Sequence, residues 1–211
     1  FFKPESFYAE QNISFHPNTS IDSIDTIAKE ISAGNATFSF DYLVFATGAS
    51  PRLLSMPNSD AKNLFYLRKI SDVVDIHAQL DSAKDIVLIG GGYIGLEVAS
   101  AMVDLGLNVT IIEAEDRILK RVTSPELSTF YQSTHEAKGV KIICNAKVNG
   151  LIAENQIINC VELESGETIL ADAVLAGIGA IPNTQLAEKA GLDCNNGIAT
   201  DQYCRTNNPH V

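Results

Sequence analysis

Only four of the 211 residues are cysteine, and Cys144, Cys160, Cys194 and Cys204 are neither closely paired nor set as Cys-x-x-Cys. That spacing gives no support to a metal site, a disulfide framework or a redox-active disulfide, and leaves buried free thiols as the simplest reading. Basic residues are also few. Fifteen Lys and Arg against 26 Asp and Glu give a formal charge of −11, which disfavours nucleic acid and anionic membranes as partners. No apolar run has membrane-spanning length, and no signal peptide or low-complexity tract is present, so the cytoplasm is the simplest address. His16, His77, His135 and His210 are scattered, and no residue reads as a catalytic nucleophile. The chain starts at Phe1 rather than Met and stops at Val211 with no closing element, so it reads as an internal piece of a longer protein.

With 45% hydrophobic residues, the chain has enough apolar material for one substantial core or two modest ones. The most informative stretch runs from Ile86-Val87-Leu88-Ile89 through Gly90-Gly91-Gly92-Tyr93-Ile94-Gly95 and a helical segment to Val109-Thr110-Ile111-Ile112-Glu113. Strand, glycine turn, helix and acid-tipped strand form the pattern of a dinucleotide-binding βαβ unit. Gly90 permits the tight turn, Gly92 lets backbone approach a pyrophosphate, and Gly95 lets the helix pack on the strand, with the anion at the helix N-terminus. Glu113, roughly 20 residues beyond the glycines, would accept hydrogen bonds from a ribose 2′-OH and repel a 2′-phosphate, favouring NADH. Arg117, with Lys120 and Arg121 behind it, argues the other way, because a basic residue near that ribose accommodates the phosphate.

Elsewhere, residues 21–31 and 36–40 read as a hairpin turning at Ala33-Gly34-Asn35, and Tyr42–Ala46 as a short buried strand that breaks at Thr47-Gly48. A helix over 71–80 with Ser71 as N-cap precedes the dinucleotide unit. Its first helix places Ile94, Val98, Ala101, Met102 and Leu105 at helical spacing, with Gly106 as terminator. A second helix starts at Ser124-Pro125 and ends at Gly139. Strands over 140–144, 147–152, 157–163 and 168–170 read as a meander inserted into a parallel sheet. Ala173–Gly177 is the closing buried strand, and Asn183 caps a short helix ended by Gly191.

The succession of Tyr42 to Arg52, Tyr66-Leu67-Arg68, Gly90 to Glu97, Val109 to Arg117, Arg121 to Pro125, Gly177-Ile178-Gly179 and Gly191-Leu192 resembles the NADH-dependent ferredoxin reductases. These two-dinucleotide-fold flavoproteins include putidaredoxin reductase, rubredoxin reductase and the reductases of aromatic-ring dioxygenases. The resemblance implies an α/β chain in which a Rossmann-like NAD-binding domain, residues 71–183, is inserted in a partial FAD-binding domain formed by 1–70 and a return segment, 184–211. It places Gly91, Gly92, Tyr93 and Ile94 at the NAD pyrophosphate, Glu113 at the ribose, Ile178 and Gly179 near the nicotinamide, and Glu97 facing the nicotinamide amide. On the FAD side it implies Ile21 and Ala46 near the adenosine, Thr47 and Gly48 at the turn around it, and Arg68 near the flavin or its phosphates. The implied activity passes hydride from NADH to FAD and electrons on to a ferredoxin- or rubredoxin-type carrier of an oxygenase system. An NADH oxidase or peroxidase, a nitrite reductase flavoprotein, and a bare nucleotide-binding module without activity are the alternatives. A thioredoxin reductase type would need the absent Cys-x-x-Cys.

Overall fold

The computed structural model describes residues 3–211, which divide into two compact units, one made of residues up to 49 together with 181–211 and the other of residues 50–180.

The first unit begins with the helix Glu5–Glu10 and continues into an antiparallel sheet of Ser23–Asp25, Glu30–Ala33 and Ala36–Ser39, in that order. Residues 21–31 therefore form two strands rather than one arm of a hairpin. Asp25 is the reason: its Oδ1 accepts the N–H groups of Ile27 and Ala28 at 2.9 and 2.8 Å, closing an Asx turn that ends with Lys29 at φ 56°. The expected second turn forms at Gly34, φ 59°, pairing Ala33 with Ala36. Tyr42–Ala46 does not form the expected buried strand. Leu43 N–H donates to the carbonyl of His210 at 2.8 Å, but among the described residues no strand flanks the segment, and Val44 is 85% exposed. Asn183 does not cap the helix Gln185–Lys189 either; Thr184 occupies that position, and the Asn183 amide donates to the carbonyl of Thr47.

The second unit is built on a five-stranded parallel sheet in the order Leu64–Phe65, Ala173–Ala176, Asp85–Ile89, Asn108–Ile112, Lys141–Ile143. Both faces are covered, which explains why its strands are continuous apolar runs rather than alternating ones. Ile86, Leu88, Val109, Ile111 and Leu175 face one core with Ile76, Leu96, Ala99 and Met102 from the helices Ile70–Leu80 and Tyr93–Asp104. Val87, Ile89, Ile112, Val174 and Ala176 face the other, filled by Leu151, Ile158, Val161, Leu163 and Ile169. Those last residues come from a separate antiparallel sheet of Val148–Glu154, Ile157–Leu163 and Thr168–Leu170. The meander is thus inserted in sequence only and lies over the parallel sheet as a third layer. Asn63 fastens it: fully buried, it donates to the carbonyls of Ile158 and Asp172 and accepts Ile158 N–H, all at 2.8 Å.

Two helix details depart from the sequence pattern. The buried line of Tyr93–Asp104 is Gly95, Leu96, Ala99 and Met102, while Ile94 and Leu105 are 49% and 62% exposed. Gly95 sets that rotation, as described below. Helix Ile70–Leu80 is preceded by Lys69 rather than Ser71 at its N-cap, because Asp72 accepts the N–H groups of Lys69 and Arg68 at 2.7 and 2.8 Å. These bonds, that to Lys69 foremost, hold the Asp72 carboxyl below its ordinary range.

Candidate functional site

At the carboxyl ends of the parallel strands, three chain segments are joined by backbone hydrogen bonds. Gly90 N–H donates to Ile112 O and Gly177 N–H to Ile89 O, each at 2.8 Å. Gly90 sits at φ 108°, and a Cβ there would lie 2.5 Å from the Gly177 carbonyl oxygen. A Cβ on Gly95 would lie 2.3 Å from the Gly90 carbonyl oxygen, so the helix axis is drawn against the turn and the 95, 99, 102 line must face the sheet. Gly91 is equally confined, with Ile118 Cγ2 at 2.7 Å and Glu113 Oε2 at 3.0 Å from its hypothetical Cβ. Gly92 differs: no atom of the described residues lies within 4 Å of the place its side chain would take. It is also the N-cap of a twelve-residue helix and offers no side-chain cap, which leaves the first helical N–H groups for an outside acceptor.

Glu113 follows the second strand. Its Oε2 accepts Gly91 N–H at 2.7 Å and its Oε1 accepts Glu115 N–H at 2.8 Å, so the carboxylate is locked against the glycine turn. Each oxygen retains acceptor capacity beyond these bonds, as a pair of ribose hydroxyls requires. The cleft in front measures about 420 Å³ and is lined by Gly90 to Tyr93, Glu113, Glu115, Lys120, Arg121, Ile178 and Gly179 among others. That size lies within the range of small-molecule sites. Leu54 and Met56 contribute an apolar wall that no motif signalled.

Three residues singled out in the sequence stand off this cleft. Ile94 and Glu97 are exposed on the helix and do not line it. Arg117 turns inward, donating to the buried Ser128 Oγ and, at 3.1 Å, to the Lys120 carbonyl. Ser128 in turn donates to Ile118 O at 2.7 Å. Lys120 and Arg121 are the basic residues at the wall. Lys120 Nζ lies 2.8 Å from Glu115 Oε2 and 3.4 Å from Asp116 Oδ1. The hydrogen bond between Lys120 and Glu115 raises the Lys120 ammonium above its ordinary value and holds the Glu115 carboxyl below its own.

The first unit carries its own cleft of about 610 Å³, lined by Tyr42 to Gly48, Asn183, Tyr203 to Thr206 and Pro209 to Val211 among others. Ala46, Thr47 and Gly48 are all on its wall. The turn at Gly48, φ 69°, is clamped by reciprocal bonds: Thr47 Oγ1 donates to Asn183 O at 2.7 Å, and Asn183 N–H donates to Gly48 O at 3.0 Å. His210, also on the wall, has a buried Nδ1 without a hydrogen-bond partner among the described residues, an acceptor or donor left for a ligand atom. Ile21 is half-buried and off this wall, and Arg68 is exposed in the other unit, just ahead of helix Ile70–Leu80.

A glycine turn closed by backbone contact, an open helix N-terminus and a locked acid at the next strand tip are the features the sequence pattern calls for in a dinucleotide-binding βαβ unit. The family model for pyridine nucleotide-disulphide oxidoreductases matches residues 4–211. The chain belongs to this family. Among relatives of this pyridine nucleotide-disulphide oxidoreductase chain, a rubredoxin–NAD(+) reductase of Pseudomonas putida is 41% identical over 210 residues, covering 99% of the chain and 54% of the relative. A solved ferredoxin reductase from Rhodopseudomonas palustris superposes with a TM-score of 0.95 at 32% identity, over 100% of this chain and 52% of that one. The solved covalent complex of putidaredoxin reductase with putidaredoxin gives 0.92 at 36% identity, over 100% and 52%. The chain spans about half the length of the curated relatives it matches. The shared architecture is the Rossmann-like α/β fold of this family's dinucleotide-binding proteins.

Proposed function

We propose that this chain is the NADH-binding part, with a portion of the FAD-binding part, of a cytoplasmic flavoprotein reductase that passes hydride from NADH to FAD and electrons to a ferredoxin- or rubredoxin-type carrier. The observation that carries the reading is the pairing of open space at Gly92 with the Glu113 carboxylate held 2.7 Å from Gly91 N–H. Gly91, Gly92 and the N–H groups of Tyr93 and Ile94 receive the pyrophosphate, Glu113 the adenine ribose, and Ile178 with Gly179 the nicotinamide end. Gly90 and Gly95 contribute by shape and Arg117 by holding the wall. Ala46, Thr47 and Gly48 fit the adenosine end of FAD, with His210 beside them. When bound, FAD supplies the hydride-accepting and one-electron chemistry, so the chain's residues bind, orient and exclude water and need no acid or base of their own.

The carrier is read from the relatives, whose names specify rubredoxin, ferredoxin and putidaredoxin. An NADH oxidase is the less supported reading: the water-forming enzyme of Lactobacillus brevis is 25% identical with a TM-score of 0.81. Calorimetric titration of the chain with NADH and NADPH, with an absorbance scan for flavin, tests the proposal. Saturable binding with NADH preferred supports it, and absence of binding by either nucleotide refutes the assigned cleft.

A further inference from the structure

The loop joining strand Asn108–Ile112 to helix Pro125–Ala137 carries three acids, Glu113, Glu115 and Asp116, and three bases, Arg117, Lys120 and Arg121. Its backbone is fixed at several points. Leu119, buried and at φ 55°, donates its N–H to Gly91 O at 2.9 Å. Glu115 N–H is held by Glu113, and Arg117 ties the Lys120 carbonyl to buried Ser128. Lys120 is therefore presented at the cleft wall from a set position, and only its side chain has freedom to choose partners.

That choice is made by two carboxylates. Glu115 and Asp116 flank one ammonium, at 2.8 and 3.4 Å, which leaves the trio with one net negative charge. A 2′-phosphate, with about −1.5 to −2 charge at pH 7, meets no uncommitted cation at Lys120 and two anions beside it. An exposed ion pair of this kind contributes little to stability, so its consequence lies in what it denies to a ligand. Resting on the nucleotide site proposed above, we infer that Glu115 and Asp116 are specificity-determining residues that keep the cleft selective for NADH by occupying Lys120. Glu113 then opposes the 2′-phosphate directly, and the Glu115–Lys120–Asp116 trio withholds the Lys120 counter-charge, which leaves Arg121 as the basic side chain on the wall outside the trio.

Calorimetric titrations with NADH and NADPH on the wild-type chain, Glu115→Gln/Asp116→Asn, Lys120→Met and the triple variant test this. The double variant should improve NADPH affinity relative to NADH by about tenfold, the effect expected of two charges removed near the phosphate at water-like dielectric. Adding Lys120→Met takes back one of the two units of charge and should cut the improvement to about threefold over wild type. A gain left undiminished by Lys120→Met, or no gain, overturns the inference. Titration of ¹⁵N-lysine Nζ without nucleotide separates this from failure of the site itself: the Lys120 ammonium should titrate lower in the double variant. An unchanged Lys120 titration overturns the sequestration whatever the nucleotides do, whereas wild type binding neither nucleotide overturns the site assignment.

Discussion

Replacing Asn63 with Ala should destabilise the second unit by about 3–5 kcal/mol. The side chain is fully buried and makes three hydrogen bonds at 2.8 Å, two to the backbone of Ile158, itself 1% exposed, and one to the Asp172 carbonyl. Truncation leaves Ile158 N–H orphaned in an apolar layer, a loss of about 1–3 kcal/mol, and removes two donor bonds of about 1 kcal/mol each. The void left behind adds a smaller term. The sequence has no tryptophan, so urea unfolding is followed by far-ultraviolet circular dichroism, with the midpoint expected to fall by about 1.5 M at slopes of about 2–3 kcal/mol/M. Asn63→Asp keeps the acceptor but turns a carboxylate toward two carbonyls, and should be at least as damaging. A loss below about 1 kcal/mol in Asn63→Ala would refute the view that this residue fastens the meander to the parallel sheet.

Glu113→Ala should weaken NADH about 30-fold, the equivalent of roughly 2 kcal/mol of carboxylate–hydroxyl bonding, and narrow its advantage over NADPH; an unchanged ratio in calorimetry removes Glu113 from the ribose. Gly95→Ala forces a methyl to 2.3 Å from the Gly90 carbonyl oxygen, so a stability loss of about 1–3 kcal/mol with weaker NADH binding is expected, and a thermal melt superimposable on wild type contradicts the close contact. Asp72, its folded pKa depressed by the Lys69 and Arg68 N–H groups, contributes stability above the ordinary carboxylate pKa that is lost as pH falls through the folded value. Asp72→Asn should flatten that acid limb at the N-terminus of helix Ile70–Leu80, read from the amide shifts of residues 69–73; an acid limb identical to wild type assigns it to another group.

The glycine turn, the acid at the strand tip and the apolar strands of the parallel sheet were legible because each answers to a local rule: positive φ, helix termination, period and turn chemistry. The meander's three strands from Val148 to Leu170 and their turn at Glu164–Glu167 were legible for the same reason, whereas the strand read over 140–144 belongs to the parallel sheet and not to the meander. What stayed hidden depends on distant partners. Nothing near Gly95 reveals that Gly90's carbonyl rotates the helix and turns Ile94 outward. Arg117 sits where a phosphate ligand would be expected, and only the buried Ser128, eleven residues on, draws it away. Tyr42–Ala46 has the composition of a buried strand, but composition does not provide a neighbour. Lys120 lies in plain view in the sequence, and its role emerges only when Glu115 and Asp116 are seen on either side of its ammonium.

The position of strand Ala173–Ala176 between Leu64–Phe65 and Asp85–Ile89 has a bearing on how the chain is made. A ribosome releases Asp85–Ile89 about 90 residues before the strand that completes its hydrogen bonding, an interval of roughly 4–17 s at synthesis rates of about 5–20 residues per second. During that time Ile86 to Ile89 form an open apolar edge, the kind of template on which other nascent chains pair and aggregate. Slower translation does not shorten the exposure, because the missing strand is itself still to be synthesised. The number of such half-built sheets present at once is the initiation rate multiplied by this interval, so it rises with more frequent initiation and with slower elongation alike.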